Sequence, residues 1–104
     1  MKIKYRKIID LKTEKIYEIL KTPNFGLAYA EIKESKLHLH RRTTELYLVC
    51  NGEGVLFLGN SKMKISGGDV IKIPPNTPHK VKGNVRLFVI SFPPWNKEDH
   101  ILLE

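Results

Sequence analysis

Ligating side chains crowd into one short stretch of the chain, "HLHRRTTE", residues 38–45. It holds two of the four histidines, two arginines and a glutamate. On an extended strand, side chains two apart share a face about 6.6 Å from one another. His38 and His40 then point one way, and Leu37 and Leu39 the other. Glu45 lies an odd number of residues from His40, so a single unbroken strand would turn its carboxylate to the wrong face. "RRTT", residues 41–44, is short, polar and able to turn. If the chain doubles back there, Glu45 reaches a neighbouring strand and faces both imidazoles. Two imidazoles and one carboxylate suit Fe(II), and also Mn(II), Ni(II), Cu(II) or Zn(II). His79 opens the stretch "HKVK" after "PPNTP" and offers a fourth donor. An isolated H-x-H on a strand is more often an exposed or hydrogen-bonded pair. The full set, rather than the pair, points to a metal.

The elements that must position these residues follow from hydrophobic periodicity. Residues 3–11 alternate enough for an edge strand. "TEKIYEILK", 13–21, places Ile16, Ile19 and Leu20 at helical spacing, with Thr13 as an N-cap and Pro23 beyond the end. It predicts one short helix. From there the period is two, with strands expected at 26–32, 36–40, 45–50, 54–59, 61–65, 69–73, 79–82 and 86–92. Turn chemistry ("NGEG", "GN", "SGG", "PPNTP", "GN") separates them. Many short strands at this spacing predict an all-β sandwich or barrel. The tail, 93–104, is expected to run over the surface, packing Trp95 and Ile101 to Leu103 on the body, with His100 at the surface.

"HLHRRTTELYLVCNGEG" resembles the first cupin motif: H-x-H, three or four residues, E, six residues, G, the last being Gly52. "GDVIKIPPNTPHKVKGN", 68–84, resembles the second, with Gly68, Pro74 and His79 in register. The resemblance implies a double-stranded β-helix, or jelly roll, with a metal inside the barrel near one mouth. It implies His38, His40, Glu45 and His79 as ligands to one divalent transition metal (Fe, Mn, Zn, Ni or Cu). Three departures stand out. Ile32 occupies the position of the first motif's opening glycine, Asn76 that of the glycine in P-x-G, and the final asparagine is displaced by one to Asn84. None removes a ligand, and Asn tolerates the left-handed backbone that a glycine would take.

Length and composition frame the rest. A chain of 104 residues with 41% apolar and 28% charged residues is expected to form one domain. It divides into a lead-in, 1–35, a core with both motifs, 36–92, and the tail. Cys50 has no partner thiol and follows an apolar run, so it is expected to be a small buried hydrophobe in a reducing, cytoplasmic protein. No apolar run approaches the ~20 residues needed to cross a bilayer, and no signal sequence is expected. The net charge of +7 comes from scattered lysines alternating with apolar residues, the pattern of a strand's solvent face. It argues against nucleic acid and for a mild attraction to anionic small molecules.

If Glu45 faces inward, Tyr47 and Val49 do too. Tyr47 becomes a candidate for contacting substrate or orienting a ligand, or else for barrel packing. Arg41 and Arg42, in the turn, are candidates for holding a carboxylate or phosphate of a substrate. The expectation is a metal-dependent enzyme acting on a small carbohydrate or organic acid, of isomerase, lyase, decarboxylase or dioxygenase type. The alternative is a non-catalytic, metal-dependent binding protein for a sugar or other small ligand. Leu46 and Leu48, on the opposite face of their strand, are candidates for a homodimer contact.

Overall fold

The computed structural model describes all 104 residues, as nine strands and one 3-10 turn. The strands are β1 (Arg6–Asp10), β2 (Glu14–Lys21), β3 (Gly26–Glu34), β4 (His38–His40), β5 (Thr44–Leu58), β6 (Ser61–Ser66), β7 (Val70–Ile73), β8 (His79–Phe92) and β9 (His100–Leu102). The turn covers Lys97–Asp99. All pairings are antiparallel. β1, β2, β3 and β8 follow one another across the sheet. β5 lies along β8's other edge from Thr44↔Phe92 to Leu58↔His79. The first half of β5 also pairs β7, and the second half pairs β6. β4 continues β3's side of β8 at His38↔His79 and carries β9 on its far edge. The fold is the double-stranded β-helix that the motifs implied.

Directly paired residues share a face, so the register assigns inside and outside. One inward row runs Ile16, Ala30, Leu87 and Val49. It joins Ile32, Tyr47, Leu56, Ile65, Ile73, Val81 and Val85 in the core, where Leu56, Val81 and Leu87 are wholly buried. One outward row runs Tyr17, Tyr29, Phe88, Leu48 and Val70 across five strands. The rings of Tyr5, Tyr17, Tyr29 and Phe88 pack in sequence at 5.5, 6.1 and 5.4 Å.

The expected helix at 13–21 is instead the strand β2. A bulge between Glu18 and Leu20 explains the misleading pattern. The extra residue shifts the alternation by one, so the apolar positions Ile16, Ile19 and Leu20 imitate helical spacing. Thr13 caps no helix; its carbonyl accepts from Lys33 N and Glu34 N, closing the turn onto β3.

Two expected turns are also absent. "NGEG" lies within β5 and Gly83-Asn84 within β8, where Gly54 pairs Gly83. These glycines allow two long strands to cross closely and bend. At Gly52, φ is +87° and a Cβ would overlap the Asn84 carbonyl oxygen. At Gly83, φ is +146° and a Cβ would stand 2.6 Å from the Gly54 Cα. Gly52→Ala is therefore expected to destabilise the fold by at least about 2 kcal/mol. Gly68, with φ +98° and open space around it, supplies the control. Gly68→Ala meets backbone strain alone and should lose less. Chemical denaturation of both variants measures the difference; equal losses would contradict the close-approach account.

Candidate metal centre

Three regions deliver the site. β4 carries His38 and His40, the start of β5 carries Glu45, and His79 is the first residue of β8. His38 and His79 are register neighbours. Glu45 arrives differently, pairing with Ser91 at the far end of β8 and with Ile73 of β7. The chain does turn at Arg41–Thr43, but β4 and β5 form no hairpin. The bent β5–β8 ladder instead returns Glu45 to the histidines. The turn is clamped from the tail: Arg42 N and Thr43 N donate to the Asp99 carboxylate at 2.8 and 3.2 Å, and Arg41 N donates to the Asp99 carbonyl at 3.1 Å. Asn76, at φ 60°, adopts the left-handed conformation expected of it, and its N–H donates to the His40 carbonyl.

One donor atom from each of His38, His40, Glu45 and His79 lies within 4.8 Å of the others, and His40, Glu45 and His79 are buried. Their chemistry fits a cation. His79 Nδ1 is 2.9 Å from the Thr77 carbonyl, and His38 Nδ1 is 2.7 Å from the Lys36 carbonyl. A carbonyl only accepts, so both Nδ1 atoms carry hydrogen, and in a neutral ring the lone pair sits on Nε2. His79 Nε2 then faces Glu45 Oε1 at 3.2 Å, and His40 Nδ1 approaches the same oxygen at 3.2 Å. Electron-rich atoms so placed call for a positive charge among them, whether a proton or a metal ion. Carbonyl contacts on the outer ring nitrogen are also how metal-ligating histidines are oriented.

The electrostatics point the same way. Burial and the neighbouring His79 push His38 down to about 3, with smaller opposition from the Lys36 carbonyl and Glu45, so its ring is neutral at pH 7. Burial raises Glu45, but where the His40 and His79 rings carry a proton toward its carboxylate, their hydrogen bonds outweigh burial and bring the carboxyl to about 2. The cluster thus presents a neutral imidazole and an ionised carboxylate, the forms that bind metals.

The remaining candidates divide. Tyr47 is buried with its ring 6.2 Å from that of His79. Burial, then Glu45 and Glu14, push its hydroxyl well above the usual range, so it stays protonated. Arg41 and Arg42 are exposed and line a polar cleft of about 530 Å³ with Asn96, Glu98 and Asp99, which no member of the four-residue cluster lines. Cys50 is exposed rather than buried. It sits at the irregularity where the β5–β8 register shifts between Val49 and Asn51.

Sequence reasoning missed two residues. His100, expected at the surface, is half-buried, with its ring 4.9 Å from His38 and 5.1 Å from His40. It arrives because the tail forms β9, pairing His100 with His40, and no local spacing signals that pairing. Burial and then His40 lower its pKa. Glu14 is a partly buried carboxylate in register with the core residue Ile32. Burial raises its pKa, opposed by Lys36. The misassigned helix hid it, since a helical reading gives Glu14 no sheet face.

Comparison with known proteins adds the family. A model of the cupin domain matches residues 28–92. The uncharacterized protein MJ1618 of Methanocaldococcus jannaschii is 43% identical over 72 residues, which cover 65% of this chain and 58% of that protein. The match therefore spans less than two thirds of that relative's length. Among solved structures, the Streptomyces nucleoside dehydratase Pac13 superposes with a TM-score of 0.90 at 17% identity, covering 100% of this chain and 91% of that one. The polyketide cyclase RemF of Streptomyces resistomycificus gives 0.78 at 18% identity, covering 98% and 80%. KdgF of Halomonas sp. gives 0.76 at 16% identity, covering 91% and 89%. At such identities the likeness is one of fold. With the family model covering more than half of its length, the chain belongs to the cupin family.

Proposed function

We propose that His38, His40, Glu45 and His79 hold one divalent transition metal, and that the protein uses it to act on a small carbohydrate or organic acid. The observation that carries this reading is the convergence of three imidazoles and a carboxylate within 4.8 Å, with two ring tautomers fixed by carbonyls. A bound divalent ion supplies Lewis-acid polarisation of a substrate oxygen. The chain's own residues do the rest. The Lys36 and Thr77 carbonyls keep the His38 and His79 protons on the outward nitrogens. Tyr47 packs its ring against that of His79 and keeps its hydroxyl protonated. Arg41 and Arg42 attract an anionic group at the exposed cleft they line. Dehydratase and cyclase neighbours share the fold, and a fold by itself does not select a reaction.

The test is a panel of sugars, hydroxy acids and keto acids, offered to metal-loaded and chelated protein. Binding with product formation only in the loaded form supports the enzyme reading. Binding without product supports a sugar or small-ligand binding protein instead. Binding that survives both chelation and the His38→Ala/His79→Ala change contradicts both.

We further infer that a second copy of the chain covers the outer apolar face. Leu46 and Leu48 do point outward, and they continue the rows of Tyr29, Phe88, Leu27 and Ile90. Phe88 is 37% exposed and Val70 63% exposed. Six strands about 4.8 Å apart and these two outward rows project to roughly 400 Å² before side-chain relief. That is about half of the ~800 Å² per partner of a standard interface. Sedimentation should give twice 12.0 kDa for the wild type and 12.0 kDa for Leu48→Lys with Phe88→Lys. A wild-type monomer at micromolar concentration would overturn the inference.

A further inference from the structure

His100 carries the only buried side-chain nitrogen or oxygen without a hydrogen-bond partner, its Nε2. Leaving a buried polar atom unpaired costs about 1–3 kcal/mol, so native structures usually place something against it. The ring is not placed casually. It lies 4.9 Å from His38, 5.1 Å from His40 and 5.7 Å from Trp95, which meets it edge-on. Its strand is pinned against β4 on both sides of this position. Leu103 N donates to the Leu37 carbonyl at 2.9 Å, Leu37 N donates to Glu104 Oε1 at 2.8 Å, and Asp99 clamps the turn after His40. Yet His100 stands outside the group of four whose donor atoms converge within 4.8 Å.

A rigidly held imidazole, adjacent to a ligand cluster but not part of it, with a free buried nitrogen, is suited to touching what the cluster binds. We propose that His100 Nε2 hydrogen-bonds the small molecule held at the metal centre, an anion or an oxygen-bearing organic group. The C-terminal strand β9 is then a component of the binding site, contributing one wall and one polar contact. This rests on the metal reading given above.

The probe is azide, a small anion that coordinates open metal positions, titrated into cobalt-loaded protein and followed by the visible spectrum. His100→Phe keeps the ring's packing against Trp95 but removes the nitrogen. It should take up cobalt as the wild type does and bind azide about five- to tenfold more weakly, the loss of one hydrogen bond. His100→Gln, which restores a polar nitrogen near the Nε2 position, should recover most of that affinity. In zinc-loaded wild type, the His100 Nε2 resonance should move when azide is added, a readout that needs no variant. Unchanged azide affinity in His100→Phe, or an unmoved resonance, overturns the proposal. So does loss of cobalt from His100→Phe to the extent seen in His38→Ala, which would make His100 a metal ligand. Failure of the wild type to take up cobalt overturns the metal reading, and this inference with it. Normal uptake with unaltered azide binding overturns the inference alone.

Discussion

Chelated protein is expected to melt about 15–30 °C below metal-loaded protein. A ligand at a thousand times its dissociation constant stabilises the folded state by about 4 kcal/mol. For a domain near 100 residues, each kcal/mol moves the midpoint by roughly 4–8 °C. The gain should be large here because the site is already built before the ion arrives. β4 is held between β8 and β9, and the turn to Glu45 is held by Asp99 and Asn76. Little of the binding energy is then consumed in ordering the chain. Glu45→Gln keeps the shape of the side chain but removes the charge that faces His40 and His79. In that variant the metal-dependent rise should shrink to a few degrees. A calorimetric scan with and without metal reads both effects. Equal rises in the wild type and in Glu45→Gln would place the stabilising ion elsewhere.

The metal-free protein should also lose stability steadily as the pH falls from about 6.5 to 3. His38 sits at about 3 in the folded protein against an ordinary value of 6.5. Between those values the unfolded chain takes up a proton that the folded chain refuses, so acid favours unfolding. Above 6.5 neither state is protonated and the effect vanishes; below 3 both are protonated and the loss is complete. The whole window is worth at most about 5 kcal/mol, at ~1.4 kcal/mol per pH unit. His100, lowered in the same direction, adds to the loss. Glu45, at about 2 against 4.5, adds a further loss between those two values. Glu14, raised by burial, works the other way and softens the lower part of the curve. Denaturant midpoints at half-unit pH steps measure the slope, and His38→Gln should flatten it between 6.5 and 4.5. A midpoint independent of pH from 7 to 4 would contradict the buried neutral imidazole.

The sequence made the donor set legible because ligand chemistry is tied to residue type and short spacing. His38, His40, Glu45 and His79 were identifiable from two motifs, and the structure brings their donor atoms together. The path of Glu45 was not legible. A hairpin at "RRTT" satisfies the same parity as the observed crossing, and only the pairing of β5 with β7 and β8 distinguishes them. Alternation predicted the inward side of β5 correctly at Tyr47 and Val49. That alternation is interrupted between Val49 and Asn51, and Cys50 at the irregularity is exposed where its apolar neighbourhood in sequence suggests burial. β2 was misread because a bulge imitates helical spacing, and the long strands were cut short because glycines that permit close crossing look like glycines that permit turns. His100 was beyond reach altogether. Its role depends on β9 pairing with β4 some sixty residues earlier, a long-range contact with no local period.

The most direct measurement of the central claim is the metal content of protein purified without a metal-affinity tag. The account predicts about one divalent transition-metal ion per chain in the wild type. It predicts essentially none in His38→Ala with His79→Ala, with the strand-rich circular dichroism spectrum retained. Undiminished metal in that folded double variant would contradict the assignment of these residues as the metal centre.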